Sequence, residues 1–172
     1  MKKLLKVAIG GYVLLEASAW TALLIYLKKH KISEVEGVEF YKVPNCITNN
    51  IFNARIACAT QLVHKQIILV DDDFEKINER SSDVAEFILA HELGHIKLGH
   101  IKANIKKLLS GVKPTRNIQY ELEADTFAAT HFPSTTARDG MKFMFMVKGI
   151  EQERIDHMHE LYEKEMYKEY TR

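Results

Sequence analysis

The segment HELGH at positions 91–95 constrains this chain more than any other feature of its sequence. The residues just before it, 85–90, are rich in apolar side chains and contain no glycine or proline, which predicts a helix. Because residues four apart lie on the same face of a helix, the imidazoles of His91 and His95 point the same way, one turn apart. Glu92 can reach the same side. The pattern therefore predicts two imidazole ligands for one zinc ion, with a carboxylate able to take a proton from an activated water.

A catalytic zinc site needs a third protein ligand, and His100 is the first candidate downstream. The metzincin pattern, however, requires glycine three residues and histidine six residues after the second histidine. Those positions hold Leu98 and Ile101. Gly99 is instead expected to end the helix, which leaves His100 as an ordinary residue after the cap.

A second acidic motif, ELEAD at positions 121–125, offers a better third ligand. Glu121 and Asp125 are four apart and share one face of a predicted helix. Glu121 can complete the zinc ligands, and Asp125 can accept a hydrogen bond from the outer nitrogen of a zinc-bound histidine. Glu123 lies about 200° round the helix from Glu121 and is expected to face away. We therefore assign the third ligand to Glu121.

The combination of HELGH and ELEAD resembles the gluzincin metallopeptidases. ELEADTFAA at 121–129 is similar to the ImmA/IrrE-type peptidases, from which the sequence departs at 130–133. The longer layout resembles the HtpX-type membrane peptidases, with an apolar N-terminal segment, an Asn-Ala strand at 53–57 and Glu-Arg-Ile at 153–155. It departs from that pattern at 148–150, so both branches stay open. The resemblance implies an α+β, minimal zincin-like domain with a small sheet and several helices.

The resemblance also implies zinc-dependent hydrolysis of protein or peptide substrates. Zinc would lower the pKa of a water, and Glu92 would accept its proton and deliver it to the leaving amine. Gluzincins commonly hold the peptide along an edge strand, and residues 53–57 are the candidate edge, with a core strand as the alternative. A silent binding or regulatory module on the same fold is the alternative function, which the complete set of site residues disfavours. The donor to the oxyanion stays open among four residues: Tyr120, His131, Arg138 and His157.

Residues 7–27 are nearly all apolar or small and are long enough for a transmembrane helix, which needs about 20 residues. We predict a single-pass anchor over residues 1–31 and a metallopeptidase domain over 32–172. A cleaved signal peptide ending at 17–19 and a buried helix are the alternatives. Lysines flank both ends equally, so the orientation is not predicted.

The 172 residues include 24 basic and 23 acidic ones, a net charge of +1 that gives no case for a nucleic-acid partner. Cys46 and Cys58 do not form a CxxC pair, so free thiols and a disulfide both stay open. The oligomeric state is not predicted.

Several local patterns place the remaining elements. Carboxylates at 71–73 are expected to cap a helix from a solvated turn, and Asp83 with Glu86 resembles a capping box before the HELGH helix. Residues 31–37 are expected to be a charged link. The predicted strands are 38–43, 54–60 and 64–70, and the predicted helices after HELGH are 101–110, 115–131, 133–147 and 150–170.

Overall fold

A computed structural model describes residues 22, 25–51, 56–62, 65–112, 117–131, 134–147 and 150–170. In those ranges the chain forms a four-stranded sheet and a set of helices, which confirms the predicted α+β class. The strands are β1 (Lys31–Val35), β2 (Val38–Lys42), β3 (Ala57–Leu62) and β4 (Lys65–Val70). The helices are α1 (Asn45–Ile51), α2 (Asp72–Arg80), α3 (Ser82–Lys97), α4 (His100–Leu109), α5 (Ile118–His131), α6 (Ser134–Met146) and α7 (Gln152–Tyr170).

The predicted membrane segment falls almost wholly outside these ranges. Residues 7–21, 23 and 24 are not among the described residues, and residues 25–29 are helical. No helix within the described ranges is long and apolar enough to cross a membrane. The anchor and the division at residue 31 stay predictions.

The sheet has the order β1-β2-β4-β3, with β2 and β4 parallel and the two outer pairs antiparallel. The apolar end of β4, Ile67 to Val70, is buried, as its continuous apolar run predicts. β3 is an edge strand. The expected link at 31–37 was wrong, because Lys31–Val35 pairs with β2 through a turn at Glu36 and Gly37, where φ is 50° and 78°. β1 is an edge strand whose residues are all exposed, and exposed charged residues are typical of such strands. They leave no alternation of apolar and polar residues by which the sequence could predict it.

Helix α3 lies between the sheet and the helices α5, α6 and α7. One apolar cluster joins its sheet-facing side to β2 and β4, and a second joins Phe87 to the other helices. A Cβ on Gly140 of α6 would lie 2.1 Å from Phe87 Cγ. The backbone of α6 at this glycine therefore packs directly on the Phe87 side chain of α3. A Cβ on Gly94 would lie 3.2 Å from Ala124 Cα. The glycine of HELGH therefore lets α5 approach α3 beside the two histidines.

Asp71 caps α2, as expected, but from a buried position rather than a solvated turn. It is only 1% exposed. Its Oδ1 accepts the N–H groups of Asp73 and Phe74, at 3.0 and 3.3 Å. Its Oδ2 accepts the Thr48 hydroxyl at 2.9 Å and the Ile56 N–H at 3.1 Å. One carboxylate thus ties α1, α2 and the residue before β3 together.

Other local predictions had mixed outcomes. The capping box at Asp83 and Glu86 was wrong. Ser81 is the N-cap of α3, with its hydroxyl accepting a first-turn N–H at 3.4 Å, and Asp83 accepts the Thr136 hydroxyl of α6 at 2.8 Å. Gly99 follows the helix in the left-handed conformation with φ 79°, which confirms the predicted end.

The predicted elements did not include the short helix α1, which covers residues 45–51. Cys46 and Cys58 are both free thiols, the first of the two alternatives.

We expect Asp71→Ala to destabilise the protein by about 2–4 kcal/mol, because it removes a helix cap and leaves buried donors without an acceptor. The matched control is Asp72→Ala, whose side chain is 52% exposed and whose ion pair with Lys42 lies at the surface. That change should cost no more than about 1 kcal/mol. Urea denaturation followed by circular dichroism measures both. Equal losses for the two variants would contradict the role given to Asp71.

Candidate metal centre

Three predicted ligands meet where α3 and α5 cross. His91 and His95 lie one turn apart on α3, with their Nε2 atoms 3.1 Å apart. Glu121 comes from the first turn of α5, with Oε2 3.7 Å from His91 Nε2 and Oε1 3.7 Å from His95 Nε2. Within the described ranges, these side chains form a group that could hold a metal ion, with all three ligand atoms within 4.8 Å of one another.

The donor set and its spacing fit zinc. Two imidazole nitrogens and one carboxylate oxygen are common ligands of a catalytic zinc site. Ligands at 2.0–2.1 Å from a tetrahedral zinc are about 3.3 Å from one another. The two imidazole nitrogens are 3.1 Å apart, and each lies 3.7 Å from a different oxygen of the Glu121 carboxylate, so one oxygen must move closer to the second histidine before all three residues can bind one ion.

Asp125 lies on the outer side of His91, as the four-residue spacing predicts. Its Oδ1 is 2.7 Å from His91 Nδ1, and the carboxylate is fully buried. Arg154 of α7 donates to both oxygens, from Nε at 2.6 Å and from Nη2 at 2.7 Å. The same guanidinium donates from Nη1 to Glu121 Oε2 at 2.9 Å. One arginine therefore joins Glu121, the predicted third ligand, to the carboxylate that contacts His91.

Sequence reasoning missed the role of Arg154. It pointed to the residue only through the Glu-Arg-Ile resemblance and gave it no function. Helix α7 is rich in charged residues, and no local pattern distinguishes its one buried arginine, which is 5% exposed. Only the packing of α7 on α5 reveals it.

The electrostatics of this group follow from burial and pairing. Burial alone would raise the pKa of Asp125, but His91 and Arg154 outweigh it and lower that pKa to about 2. Burial lowers the pKa of His91, and the charge and hydrogen bond of Asp125 more than reverse the effect. Asp125 thus stays ionised and holds a proton on Nδ1 of His91, which leaves Nε2 as the nitrogen directed at the cluster.

Glu92 lies between the cluster and the sheet. Its Oε2 accepts the main-chain N–H of Ala59 in β3 at 2.6 Å, and burial raises the pKa of its carboxyl. Burial, with the nearby charge of Glu92, raises the pKa of the Cys58 thiol to about 12. A pKa raised this far favours the protonated thiol at neutral pH, which is the less reactive form of a cysteine.

Only part of the predicted edge at 53–57 falls within the described residues. Residues 53–55 lie outside the described ranges, and Ile56 is a bend with φ 74°. The edge strand starts at Ala57 and continues to Leu62. β3 is thus an edge strand beside HELGH that shares only Ala57 with the predicted range.

His100 and Glu123 are closer to the site than the sequence suggested. His100 is 3% exposed, and its Nδ1 lies 3.0 Å from His95 Nδ1. Its Nε2 lies 2.9 Å from Glu123 Oε2. Neither residue belongs to the group of three that could hold a metal, as the sequence predicts, but the expectation that His100 is an ordinary residue did not include its contact with His95. The left-handed Gly99 turns the chain at the end of α3, so that α4 begins with the His100 ring beside α5.

The four candidate oxyanion donors lie in different parts of the structure. Tyr120 stacks on His100 with ring centroids 4.2 Å apart, next to the cluster. His131 stacks on Phe127 at 4.9 Å, and Arg138 lies on α6. His157 Nε2 is 2.8 Å from the Thr126 hydroxyl, on another face of α5.

Comparison with known proteins adds the family. Residues 43–150, more than half of the chain, match the family model described as Peptidase U49. The chain belongs to the Peptidase U49 family. No curated protein and no solved structure matches it. The part matched to Peptidase U49 contains His91, Glu92, His95, Glu121 and Asp125.

Arg154 lies just beyond the matched part of this U49 peptidase and yields a prediction about stability. We expect Arg154→Leu to cost about 3–5 kcal/mol, because it leaves the buried Asp125 carboxylate without its arginine counter-charge. Arg80→Leu, at the exposed end of α2, is the matched control and should be nearly neutral. Urea denaturation in the presence of a chelator measures both without any contribution from metal. A loss of stability no larger for Arg154→Leu than for the control would rule out the pairing described above.

Proposed function

We propose that this peptidase is a zinc-dependent endopeptidase of the gluzincin type, with a minimal zincin-like domain. The observation that carries the proposal is the convergence of His91 Nε2, His95 Nε2 and a Glu121 carboxylate oxygen within 4.8 Å. The buried Asp125 supports it, because a carboxylate on the outer nitrogen of a ligating histidine fixes that ring for metal binding.

The proposed ligands are His91, His95 and Glu121, and the proposed base is Glu92. Zn²⁺ bound there supplies Lewis-acid activation of a water and of the scissile carbonyl. The Glu92 carboxylate takes the proton of the attacking water and passes it to the leaving nitrogen. Burial suits this role, since a raised pKa lets the carboxyl hold that proton between the two transfers.

The substrate is proposed to be a polypeptide in extended form, paired with the edge strand β3. Glu92 contacts the N–H of Ala59, so the outer main-chain groups of this strand lie next to the base. Because Glu92 accepts the Ala59 N–H, an extended peptide would pair with other outer main-chain groups of β3, with its scissile bond directed toward the cluster. Main-chain pairing of this kind gives affinity with little dependence on sequence.

The enzyme is further proposed to be membrane-anchored through residues 1–31. The support is the apolar run at 7–27 with its flanking lysines. No nucleic-acid partner is proposed, since the net charge is only +1.

Glu92→Gln should keep the fold and the metal but remove cleavage, because the amide cannot accept the proton of the water. Loss of about 10²-fold or more is expected for a general base. Glu86→Gln, on an exposed face of the same helix, is the control and should cleave normally. Release of new amino termini from unfolded casein, beside zinc content, checks both. Near-normal cleavage by Glu92→Gln would disprove the base assignment.

Metal removal tests the ligands. We expect one zinc per chain, with Glu121→Gln losing most of it on dialysis because a neutral amide is a poor ligand. Asp125→Ala should bind zinc about 10–100-fold more weakly. Glu160→Gln, exposed on α7, should match the wild type. Zinc per chain after dialysis is the measurement, and full retention by Glu121→Gln would exclude it as a ligand.

Alkaline carbonate extraction of membranes tests the anchor. The full-length chain should stay in the membrane pellet and enter the detergent phase on partitioning, because its apolar run is long enough to span. Full-length, uncleaved protein in the soluble fraction would rule the anchor out. A shortened chain in that fraction would instead support the signal-peptide alternative.

A further inference from the structure

His95 has a hydrogen-bonded chain on its outer side that ends at a carboxylate. His95 Nδ1 lies 3.0 Å from His100 Nδ1, and His100 Nε2 lies 2.9 Å from Glu123 Oε2. The members come from α3, α4 and α5, so the chain spans three helices. His91 contacts the Asp125 carboxylate directly, whereas His95 reaches the Glu123 carboxylate through the His100 imidazole.

The positions of the protons in this chain follow from its two ends. His95 Nε2 faces the cluster, so a metal there leaves its proton on Nδ1, which must then donate. The contact between two Nδ1 atoms needs one donor and one acceptor, so His100 accepts there and carries its own proton on Nε2. That proton is donated to Glu123, whose carboxylate only accepts. The hydrogen-bond network thus assigns one tautomer to each ring.

Both outer members are held in place by further contacts. The Tyr120 ring lies parallel to the His100 ring, at an interplanar angle of 4° with centroids 4.2 Å apart. Lys107 lies 5.5 Å from the centroid of that tyrosine ring. Gln119 donates to the second oxygen of Glu123 at 3.1 Å. Contacts with protein groups alone therefore orient the ring and the carboxylate.

We propose that His100 and Glu123 are positioning residues that orient His95 for zinc through a carboxylate–histidine–histidine relay. The inference rests on the proposed function, since it concerns a ligand of the proposed zinc. The relay fixes the His95 tautomer and ring angle, as Asp125 does for His91. Its carboxylate is 43% exposed where Asp125 is fully buried, so the Glu123 end contributes less than the imidazole next to the ligand.

The test is the zinc affinity of the full chain in detergent. It is measured by competition with a chromophoric chelator. His100→Phe keeps a ring to stack on Tyr120 but offers no acceptor, and should weaken zinc binding by about 10–100-fold. His100→Asn places an amide oxygen near the position of Nδ1 and should recover part of that loss. Glu123→Ala should weaken binding less than His100→Phe. Glu163→Ala, exposed on α7, is the control and should bind like the wild type.

A spectroscopic measurement separates orientation from packing. In the zinc-loaded protein, long-range ¹H–¹⁵N correlation of the imidazoles should place the proton of His95 on Nδ1 and that of His100 on Nε2. Glu123→Ala should shift or broaden the His100 Nε2 signal while the backbone spectrum stays folded. A merely structural histidine would not require this pair of tautomers.

The outcomes distinguish the two proposals. Tight zinc binding by the wild type together with equal binding by His100→Phe and Glu123→Ala overturns the relay and leaves the zinc enzyme standing. A proton on Nε2 of His95 overturns it as well. Absence of zinc binding by the wild type overturns both. If His100→Phe fails to fold, the comparison of His100→Asn with Glu123→Ala decides, and normal affinity in both overturns the relay.

Discussion

The buried carboxylate of Asp125 is the constraint on which the rest of this structure depends. A fully buried charge costs several kcal/mol unless it is paired, and here it is paired twice, with His91 on α3 and with Arg154 on α7. The Asp125 carboxylate thereby joins α5 to both neighbours at one point. The glycine at position 94 makes the contact possible, since α5 could not otherwise come so close to α3. Electrostatic pairing and close helix packing thus require one another.

The same arrangement connects the cluster to the sheet. Glu92 contacts Ala59 of β3, and the residue before that strand is held by the buried Asp71. A carboxylate at the end of β4 therefore fixes where the edge strand begins, and the edge strand in turn lies against the residue proposed as the base. If the proposed reaction is right, the strand that holds the peptide and the group that moves the proton are positioned by the same contacts.

The sequence predicts the parts of the site that depend on local periodicity. His91 and His95, like Glu121 and Asp125, are four apart, and helical geometry alone puts each pair on one face. The sequence did not predict the contacts of His100, Glu123 and Arg154, because these depend on a turn at Gly99 and on how α4, α5 and α7 pack. Among the elements, buried β4 was clear from its apolar run, whereas exposed β1 and the polar α1 carry no such pattern. The angular argument correctly kept Glu123 out of the metal group, but it considered α5 alone and so did not predict the contact of Glu123 with His100 on α4.

X-ray absorption spectroscopy of the purified full-length protein at the zinc edge tests the proposed centre most directly. The ligands His91, His95 and Glu121 predict only nitrogen and oxygen neighbours at about 2.0–2.2 Å, with the multiple scattering of two imidazoles. A sulfur neighbour at about 2.3 Å would contradict that centre, because none of the three proposed ligands carries sulfur. So would the scattering of a third imidazole, which would make His100 a ligand rather than a residue that orients one.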